Sequence, residues 1–477
     1  MQKFRDVAVA LLVSTALVVP GFVLAFSTGA NSGLTNGPAN NASNCAVCHE
    51  FEVGIGGVDV LGAPRRYLPG RTYNLGVRVF DADQIGTGFE ISAETGSGNV
   101  GTFVLSDTTN TQFADGDPSY VTHTLAGHEA SHDGWAANDG SWQFDLQWVA
   151  PSVDFGDVTF FGVGNASNLP AGPAGEHFYA NYATAQFARS GDADGDTDVD
   201  LRDFAALQSC FGAAAGLPSA CAFVDDDADE VIALGDYAAM AAALVGPTAL
   251  DPPEFVLADG IRGAKLYDKW WAELRLPAPT TDHPLWASRP DTTSNIRTGS
   301  ATWRCKECHG WDYKGVDGVY GAGTHRTGVV GVFGTMKTPA EIFNLLRDPA
   351  DHAYTGVLTG MTDRDVWDVV KFVLTEQVDT DAHIDSGGAF FGNGPLGSLW
   401  YGRACFNCHG EDGTHLNFGT TASPEYVGTV AVNNPWEFLH KVRFGHAGSP
   451  MVGTELLRWD VSRASDLGAY AQSLPVQ

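Results

Sequence analysis

The stretch Cys305-Lys-Glu-Cys308-His309 has two further versions in this 477-residue chain. They are Cys45-Ala-Val-Cys48-His49 and Cys405-Phe-Asn-Cys408-His409. Two thiols at this spacing can form thioether bonds to one porphyrin, while the adjacent histidine ligates the iron. For a single copy, a redox dithiol or half of a zinc site is the alternative. Three copies use six of the eight cysteines, which leaves no second cysteine pair for each motif, so the pattern predicts three covalent haems.

The N-terminus predicts export. Lys3 and Arg5 form a charged start, residues 7–19 are apolar, and Val23-Leu-Ala25 fits the cleavage site of a signal peptide over 1–25. An uncleaved anchor is the alternative, because the apolar stretch approaches a spanning length. We expect a periplasmic, cell-surface or secreted protein with no membrane span after cleavage. The two remaining cysteines, Cys210 and Cys221, could form a disulfide in such a compartment.

The formal net charge of −30 argues against nucleic acid and anionic membranes as partners. A basic redox protein would be attracted to this surface. Solubility or adaptation to salt would explain the same charge, and both interpretations stay open.

The first half of the chain predicts a β-sandwich. Residues 26–44, rich in Gly, Asn, Ser and Ala, predict a flexible leader. Residues 58–165 contain runs in which apolar side chains alternate with polar or small ones, separated by Gly, Asp and Asn clusters. The clearest runs are Tyr73, Leu75, Val77 and Val79, and Trp142, Phe144, Leu146 and Trp148. This pattern is typical of an antiparallel sandwich.

Residues 45–187 resemble the Reelin-type domain of some bacterial surface proteins and cytochromes. The resemblance rests on Cys48-His49, Tyr67-Leu-Pro-Gly70, Tyr73, His123-Thr124, Trp142-Gln-Phe144, Trp148-Val-Ala-Pro151 and Gly164-Asn-Ala-Ser-Asn168. It implies an immunoglobulin-like sandwich with the first haem at one end. His123 carries the resemblance and is the preferred sixth ligand of that haem, ahead of His128, His132 and His177.

Residues 190–245 predict calcium binding. Acidic residues stand at positions 1, 3, 5, 7, 9 and 12 of a first loop: Asp192, Asp194, Asp196, Asp198, Asp200 and Asp203. Positions 1, 3, 5 and 12 of a second loop are Asp225, Asp227, Asp229 and Asp236. Oxygens at this spacing can wrap one Ca²⁺, and a helix follows each loop, so two ions are expected, the first held more tightly. An acidic solvated linker is the alternative.

The two loops resemble a type I dockerin pair, although Thr197 and Glu230 stand at position 6, where glycine is usual. The resemblance implies either a cohesin-like receptor as a partner or a calcium-stiffened spacer, with Cys210 and Cys221 clamping the loops together.

An internal duplication follows a linker at 246–257. Each half carries Cys-x-x-Cys-His-Gly and then the capped start of a helix, which is Thr338-Pro-Ala-Glu341 in the first half and Asn434-Pro-Trp-Glu437 in the second. Each half closes with an amphipathic helix, at 363–375 in the first and 461–473 in the second. Residues 258–378 and 393–477 resemble two class I cytochrome c domains in tandem. The resemblance implies all-α domains whose first helices include 263–270 and 397–402.

Each domain of this tandem pair needs a residue that serves as the sixth ligand of its haem iron. Met451, in Gly448-Ser-Pro-Met451, resembles the methionine loop of class I cytochromes. In the first domain His352 is preferred over Met361. The number of residues between His352 and the closing helix of its domain matches the number between Met451 and the closing helix of the second domain. Met361 occupies the apolar slot before a helix cap, which is a packing role.

The whole chain is therefore expected to be multidomain: an Ig/Reelin-like β-sandwich, a small α EF-hand/dockerin-like domain and two α cytochrome c domains. The main functional prediction is an exported three-haem cytochrome that transfers electrons between redox proteins. One alternative is a dihaem-type oxidoreductase acting on a sulfur compound or peroxide. Another is a dockerin-mediated component of a surface assembly.

Overall fold

The computed structural model describes residues 27–49, 52, 54–168, 175–189, 191–196, 198–214, 221–225, 231–244 and 251–476. The predicted signal peptide lies outside the described residues. The strands are β1 (Gly57–Leu61), β2 (Arg66–Tyr67), β3 (Thr72–Phe80), β4 (Gly86–Thr95), β5 (Gly98–Asn99), β6 (Thr102–Val104), β7 (Thr111–Ala114), β8 (Asp117–His123), β9 (Ser141–Val149), β10 (Val158–Ser167) and β11 (His177–Phe187).

Most of the helices lie in the second half of the chain. They are α1 (Leu125–Trp135), α2 (Leu201–Cys210), α3 (Leu234–Ala243), α4 (Pro253–Val256), α5 (Gly260–Glu273), α6 (Cys305–His309), α7 (Pro339–Arg347), α8 (Gly356–Thr359), α9 (Asp363–Lys371), α10 (Gly394–Ala404), α11 (Phe406–His409), α12 (Val427–Asn433), α13 (Pro435–Phe444) and α14 (Val461–Ala471). A π-helical turn, Phe372–Glu376, continues α9. Within the described part of the chain, no helix combines the length and apolarity needed to cross a membrane.

The N-terminal strands form a β-sandwich, as predicted. One sheet has the order β1-β3-β9-β6, and the other has the order β2-β11-β10-β4-β8-β7, with β5 paired to β4. The two alternating runs of the sequence are antiparallel neighbours, with Val77 opposite Phe144 and Leu75 opposite Leu146. All four side chains are buried in the core between the sheets. Burying this apolar face is what selects the register, since a shift of one residue would expose it.

Residues 27–44 are not a flexible leader in this structure. The backbone N–H groups of Gly33 and Leu34 donate to the Glu90 carboxylate at 2.8 and 3.0 Å, and Ala39 N–H donates to Glu94 at 2.8 Å. Both glutamates are buried on β4, and a buried carboxylate needs such donors. The Gly and Asn residues that predicted flexibility instead form tight turns. In one of these turns Asn36 adopts a left-handed backbone conformation, with φ 67°.

The calcium-loop segment folds around two short helices. Helices α2 and α3 follow the two loops, and Cys210 and Cys221 form a disulfide between them. Asp200 caps α2, and Asp203 accepts hydrogen bonds from backbone N–H groups of the first loop at 2.7–3.1 Å. Asp227 and Asp229 lie outside the described residues.

The two C-terminal helical units repeat one packing arrangement. Their first and last helices cross at a glycine: a Cβ on Gly263 would lie 1.9 Å from Asp368 O, and one on Gly397 would lie 2.0 Å from Asp466 O. These close approaches bring α5 against α9 and α10 against α14.

A tyrosine four residues after each crossing glycine makes the same hydrogen bond in both units. Tyr267 donates to Gly310 O at 2.7 Å, and Tyr401 donates to Gly410 O at 2.8 Å. Each acceptor glycine directly follows a Cys-x-x-Cys-His motif, so the two units hold their motifs in the same way.

Candidate haem sites and calcium loops

The middle motif brings two histidines close together. Cys305, Cys308 and His309 lie on α6, and His309 Nδ1 is 2.7 Å from Val330 O, which leaves Nε2 for a metal. The ring of His352 lies opposite, 6.1 Å away between centroids and 24° from parallel. Metal–imidazole bonds are about 2 Å long, so two imidazoles on one iron would have centroids about 6 Å apart.

Both imidazoles of this pair are neutral at physiological pH. Burial, together with the neighbouring His352, lowers the pKa of His309 to about 4. Burial also lowers the pKa of His352. A neutral imidazole offers the lone pair that an iron ligand requires.

Met361 has a different environment. Its side chain is 3% exposed and belongs to the apolar core of the first helical unit, with Leu266 and Trp270. It directly precedes Thr362, which caps α9. These contacts agree with a packing role.

The last motif lies on the C-cap of α10 and on α11. Among the described residues, the buried Nδ1 of His409 has no hydrogen-bond partner. Burial lowers the pKa of His409 to about 4. Met451 is half-buried in the loop between α13 and α14, and it borders a cavity of about 1050 Å³ between the sandwich and the helical units.

The first motif rests against the outer face of the sandwich. His49 Nδ1 pairs with the Glu176 carboxylate, and Asn165 Nδ2 lies 3.3 Å from the same nitrogen. Nothing in the sequence around Glu176 indicated this contact, because the residue belongs to no motif and only the fold of β10 and β11 brings it to His49.

Of the four histidines proposed to complete this site, His123 lies against β4, the strand next to the one that carries Asn165. Asn165 pairs with Gly88 of β4, and a Cβ on Gly88 would lie 2.4 Å from His123 Cε1. The glycine therefore makes room for the His123 ring.

The other three histidines have different partners. His128 and His132 lie on α1 with their Nε2 atoms 3.2 Å apart. His177 pairs with Asp81 at 2.5 Å.

The residues at the three motifs fit a covalent haem better than the alternatives. All six motif cysteines are free thiols. Burial raises the pKa of Cys305 to about 11 and that of Cys308 to about 12, whereas a redox dithiol needs a lowered pKa. In the described residues, clusters of three or more potential metal ligands occur only among the aspartates of the predicted calcium loop. A bound haem would supply one-electron redox chemistry at each site.

The first of the two predicted calcium loops brings its carboxylates close together. Oxygens of Asp192, Asp194 and Asp196 lie within 4.8 Å of one another, and so do those of Asp198, Asp200 and Asp203. Burial and the charges of Asp203 and Asp196 raise the pKa of Asp194 to about 6. A divalent cation would relieve the part of this shift that comes from repulsion among the carboxylates.

Two arginines of the sandwich hold the first aspartate of each loop. Arg66 contacts Asp192 Oδ2 at 2.6 Å, and Arg71 contacts Asp225 Oδ2 at 2.8 Å. Among the described residues, Asp225 Oδ1 is buried without a hydrogen-bond partner, so it stays available for an ion. Sequence reasoning missed both contacts, because each arginine is over a hundred residues from its partner.

A comparison with known protein families supports the middle haem site. The family described as Cytochrome c matches residues 296–377, which include the middle motif and His352. No curated protein matches the chain.

Two solved structures are similar to part of the chain. The human F-spondin reeler domain is 18% identical with a TM-score of 0.21, covering 29% of this chain and 93% of that one. A type II cohesin domain from the cellulosome of Acetivibrio cellulolyticus is 9% identical with a TM-score of 0.17, covering 27% of this chain and 94% of that one.

Proposed function

We propose that this protein is an exported three-haem c-type cytochrome that carries electrons between redox proteins at or near the cell surface. The match to the cytochrome c family supports electron transfer. Three attachment motifs, two of them on equivalent helical units, support three haems. The charge of −30 favours basic redox partners.

The proximity of the His309 and His352 rings carries the proposal. If each imidazole supplied one nitrogen to a bound haem, both axial positions would be filled and no site would be free for a substrate. An oxidoreductase acting on a sulfur compound or peroxide would need such a site on at least one haem. The arrangement therefore supports an electron-transfer role for the middle haem.

The remaining axial positions rest on the sequence resemblances. We assign Met451 opposite His409 and His123 opposite His49. The thioether of Met451 would favour ferrous iron and raise the potential of the last haem, whereas the paired imidazoles would lower that of the middle haem. The middle haem would then pass electrons to the last.

The calcium loops are proposed to bind two ions and to act as a stiffened spacer held on the sandwich. The Arg66–Asp192 pair is buried on both sides, with side chains 6% and 3% exposed. Arg66 also lies 4.5 Å from the Phe223 ring centroid. Because these groups are already engaged within the chain, they support a spacer over docking to a cohesin-like receptor.

Intact mass and carbon monoxide binding together test the electron-transfer proposal. The exported protein should exceed its polypeptide mass by three haems. Carbon monoxide should leave the spectrum of the reduced middle haem unchanged, because no axial position is free. A mass increase of one haem or none, or tight carbon monoxide binding at the middle haem of the native protein, would contradict the proposal.

A further inference from the structure

The first and last haem attachment sites lie against each other, although 360 residues separate Cys45 from Cys405. Cys45, 7% exposed, forms an apolar cluster with Val163 of β10 and Phe178 of β11. Cys408 and Leu416 of the last helical unit pack against this cluster. The turn Cys45–Val47 and helix α11 approach with Cα atoms within 8 Å.

Polar contacts reinforce this junction. Asn44 caps the turn that carries the first motif, and its side chain lies beside the Cys408 thiol. Asn44 Nδ2 donates to Asn36 Oδ1 at 3.0 Å, and Asn36 Nδ2 donates to Pro450 O at 3.2 Å. The segment 27–44 thus ties the sandwich to the loop of Met451.

We infer that the haem held by Cys45, Cys48 and His49 exchanges electrons directly with the haem held by Cys405, Cys408 and His409. The inference rests on the proposed function, since it needs both haems. Each thioether bond forms at a motif thiol, so the two porphyrin edges begin in one apolar cluster. Electron tunnelling weakens steeply with distance, which makes such neighbours the preferred exchange partners.

The environments of the two proximal histidines set the direction of transfer. His49 Nδ1 has the Glu176 carboxylate as its partner, whereas His409 Nδ1 has none among the described residues. A carboxylate acceptor makes an imidazole a more basic ligand and stabilises ferric iron. The first haem is therefore the electron donor of the pair.

The step moves one electron and changes no bond. The iron ligated by His49 is oxidised from ferrous to ferric, and the iron ligated by His409 is reduced from ferric to ferrous. The last haem thus accepts electrons from the sandwich as well as from the middle haem.

Electron paramagnetic resonance of the full-length haem-loaded protein during a redox titration tests the contact without any substitution. Reducing the last haem should change the line shape or relaxation of the ferric signal of the first haem, because a paramagnetic neighbour is lost. The double variant Cys405→Ser/Cys408→Ser should produce the same change. If the first haem's signal is indifferent to the last haem in the unmodified protein, the direct contact is refuted.

A matched pair of substitutions tests the direction. Glu176→Gln should raise the potential of the first haem alone, while Glu129→Gln, an exposed glutamate on α1, should leave all three potentials unchanged. If Glu176→Gln shifts no potential, or if the first haem is reduced before the last in the native protein, the direction is wrong. Either result in a protein that carries three haems would leave the proposed electron-transfer function standing, whereas fewer than three haems by mass would refute that function itself.

Discussion

The imidazole rings of His309 and His352 lie nearly parallel, with centroids 6.1 Å apart and an interplanar angle of 24°. Two imidazoles bound to one iron would have centroids about 6 Å apart, so the separation is compatible with a shared metal. His309 belongs to the attachment motif, but His352 is 43 residues further along, in the turn after α7. The fold brings together two side chains that share no local sequence signal.

Replacing His352 should therefore change the middle haem. His352→Ala should convert it from low to high spin, because one axial ligand is lost. Met361→Ala should leave the spectrum unchanged and destabilise the protein by about 2–5 kcal/mol, the cost of emptying a buried methionine site. Visible spectra and thermal unfolding of both variants give the answer. The opposite pattern, with loss of a low-spin haem only in Met361→Ala, would exchange the two roles.

Replacing Met451 should affect only the last haem. Met451→His should lower its potential while the other two stay constant, because imidazole stabilises ferric iron relative to a thioether. Spectroelectrochemical titration separates the three transitions. A variant with three unchanged potentials would show that Met451 is not a ligand.

Calcium binding to the first loop should weaken in acid. The pKa of Asp194 is raised to about 6 in the ion-free loop, so protons compete with Ca²⁺ as the pH falls through that value. Calorimetric titration at pH 5.5 and 7.5 should show lower affinity at the lower pH. Asp194→Asn should bind more weakly at both values and with less pH dependence; equal pH dependence in the two proteins would contradict this prediction.

The helix crossing at Gly397 should not tolerate a methyl group. Gly397→Ala places a Cβ 2.0 Å from Asp466 O, and such overpacking typically costs about 1–3 kcal/mol. Gly402→Ala, on the same helix with nothing within 4 Å of its Cβ, should instead stabilise by up to about 1 kcal/mol, because alanine favours helix. Chemical denaturation of both variants measures the contrast, and similar effects of the two substitutions would argue against the tight crossing.

Glu90 should make the sandwich less stable as the pH rises. Burial raises the pKa of its carboxyl from 4.5 to about 8, so folding favours the protonated form. Its stabilising contribution is complete below pH 4.5 and is lost as the pH rises through about 8. Between these values the slope should be on the order of 1 kcal/mol per pH unit.

Glu90→Gln isolates this contribution from the general effect of the acidic surface. Thermal unfolding between pH 5 and 8 should show a shallower loss of stability in this variant than in the native protein. Glu129→Gln, on the exposed face of α1, should retain the native slope. Parallel curves for the native protein and Glu90→Gln would show that Glu90 does not titrate in this range.

Local sequence patterns were enough to predict the parts whose chemistry is local. Attachment motifs, alternating strands, capped helices and aspartate loops each depend on residues a few positions apart, so spacing alone predicts them. The β-sandwich formed where Leu75, Val77, Phe144 and Leu146 predicted it. The Gly-rich composition of 27–44 predicted a flexible leader, but this segment is held by hydrogen bonds to the buried carboxylates of Glu90 and Glu94. Both glutamates lie on β4, so the composition of the segment itself could not indicate these contacts.

Only the tertiary structure decided which distant groups meet. The Glu176 carboxylate beside His49, the arginines on the calcium loops and the contact between Cys45 and Cys408 all join segments with no shared sequence pattern. Motif spacing determines that a site can hold a haem. The surroundings of that haem depend on how the sandwich and the helical units bury their faces against one another, which no single stretch of sequence encodes.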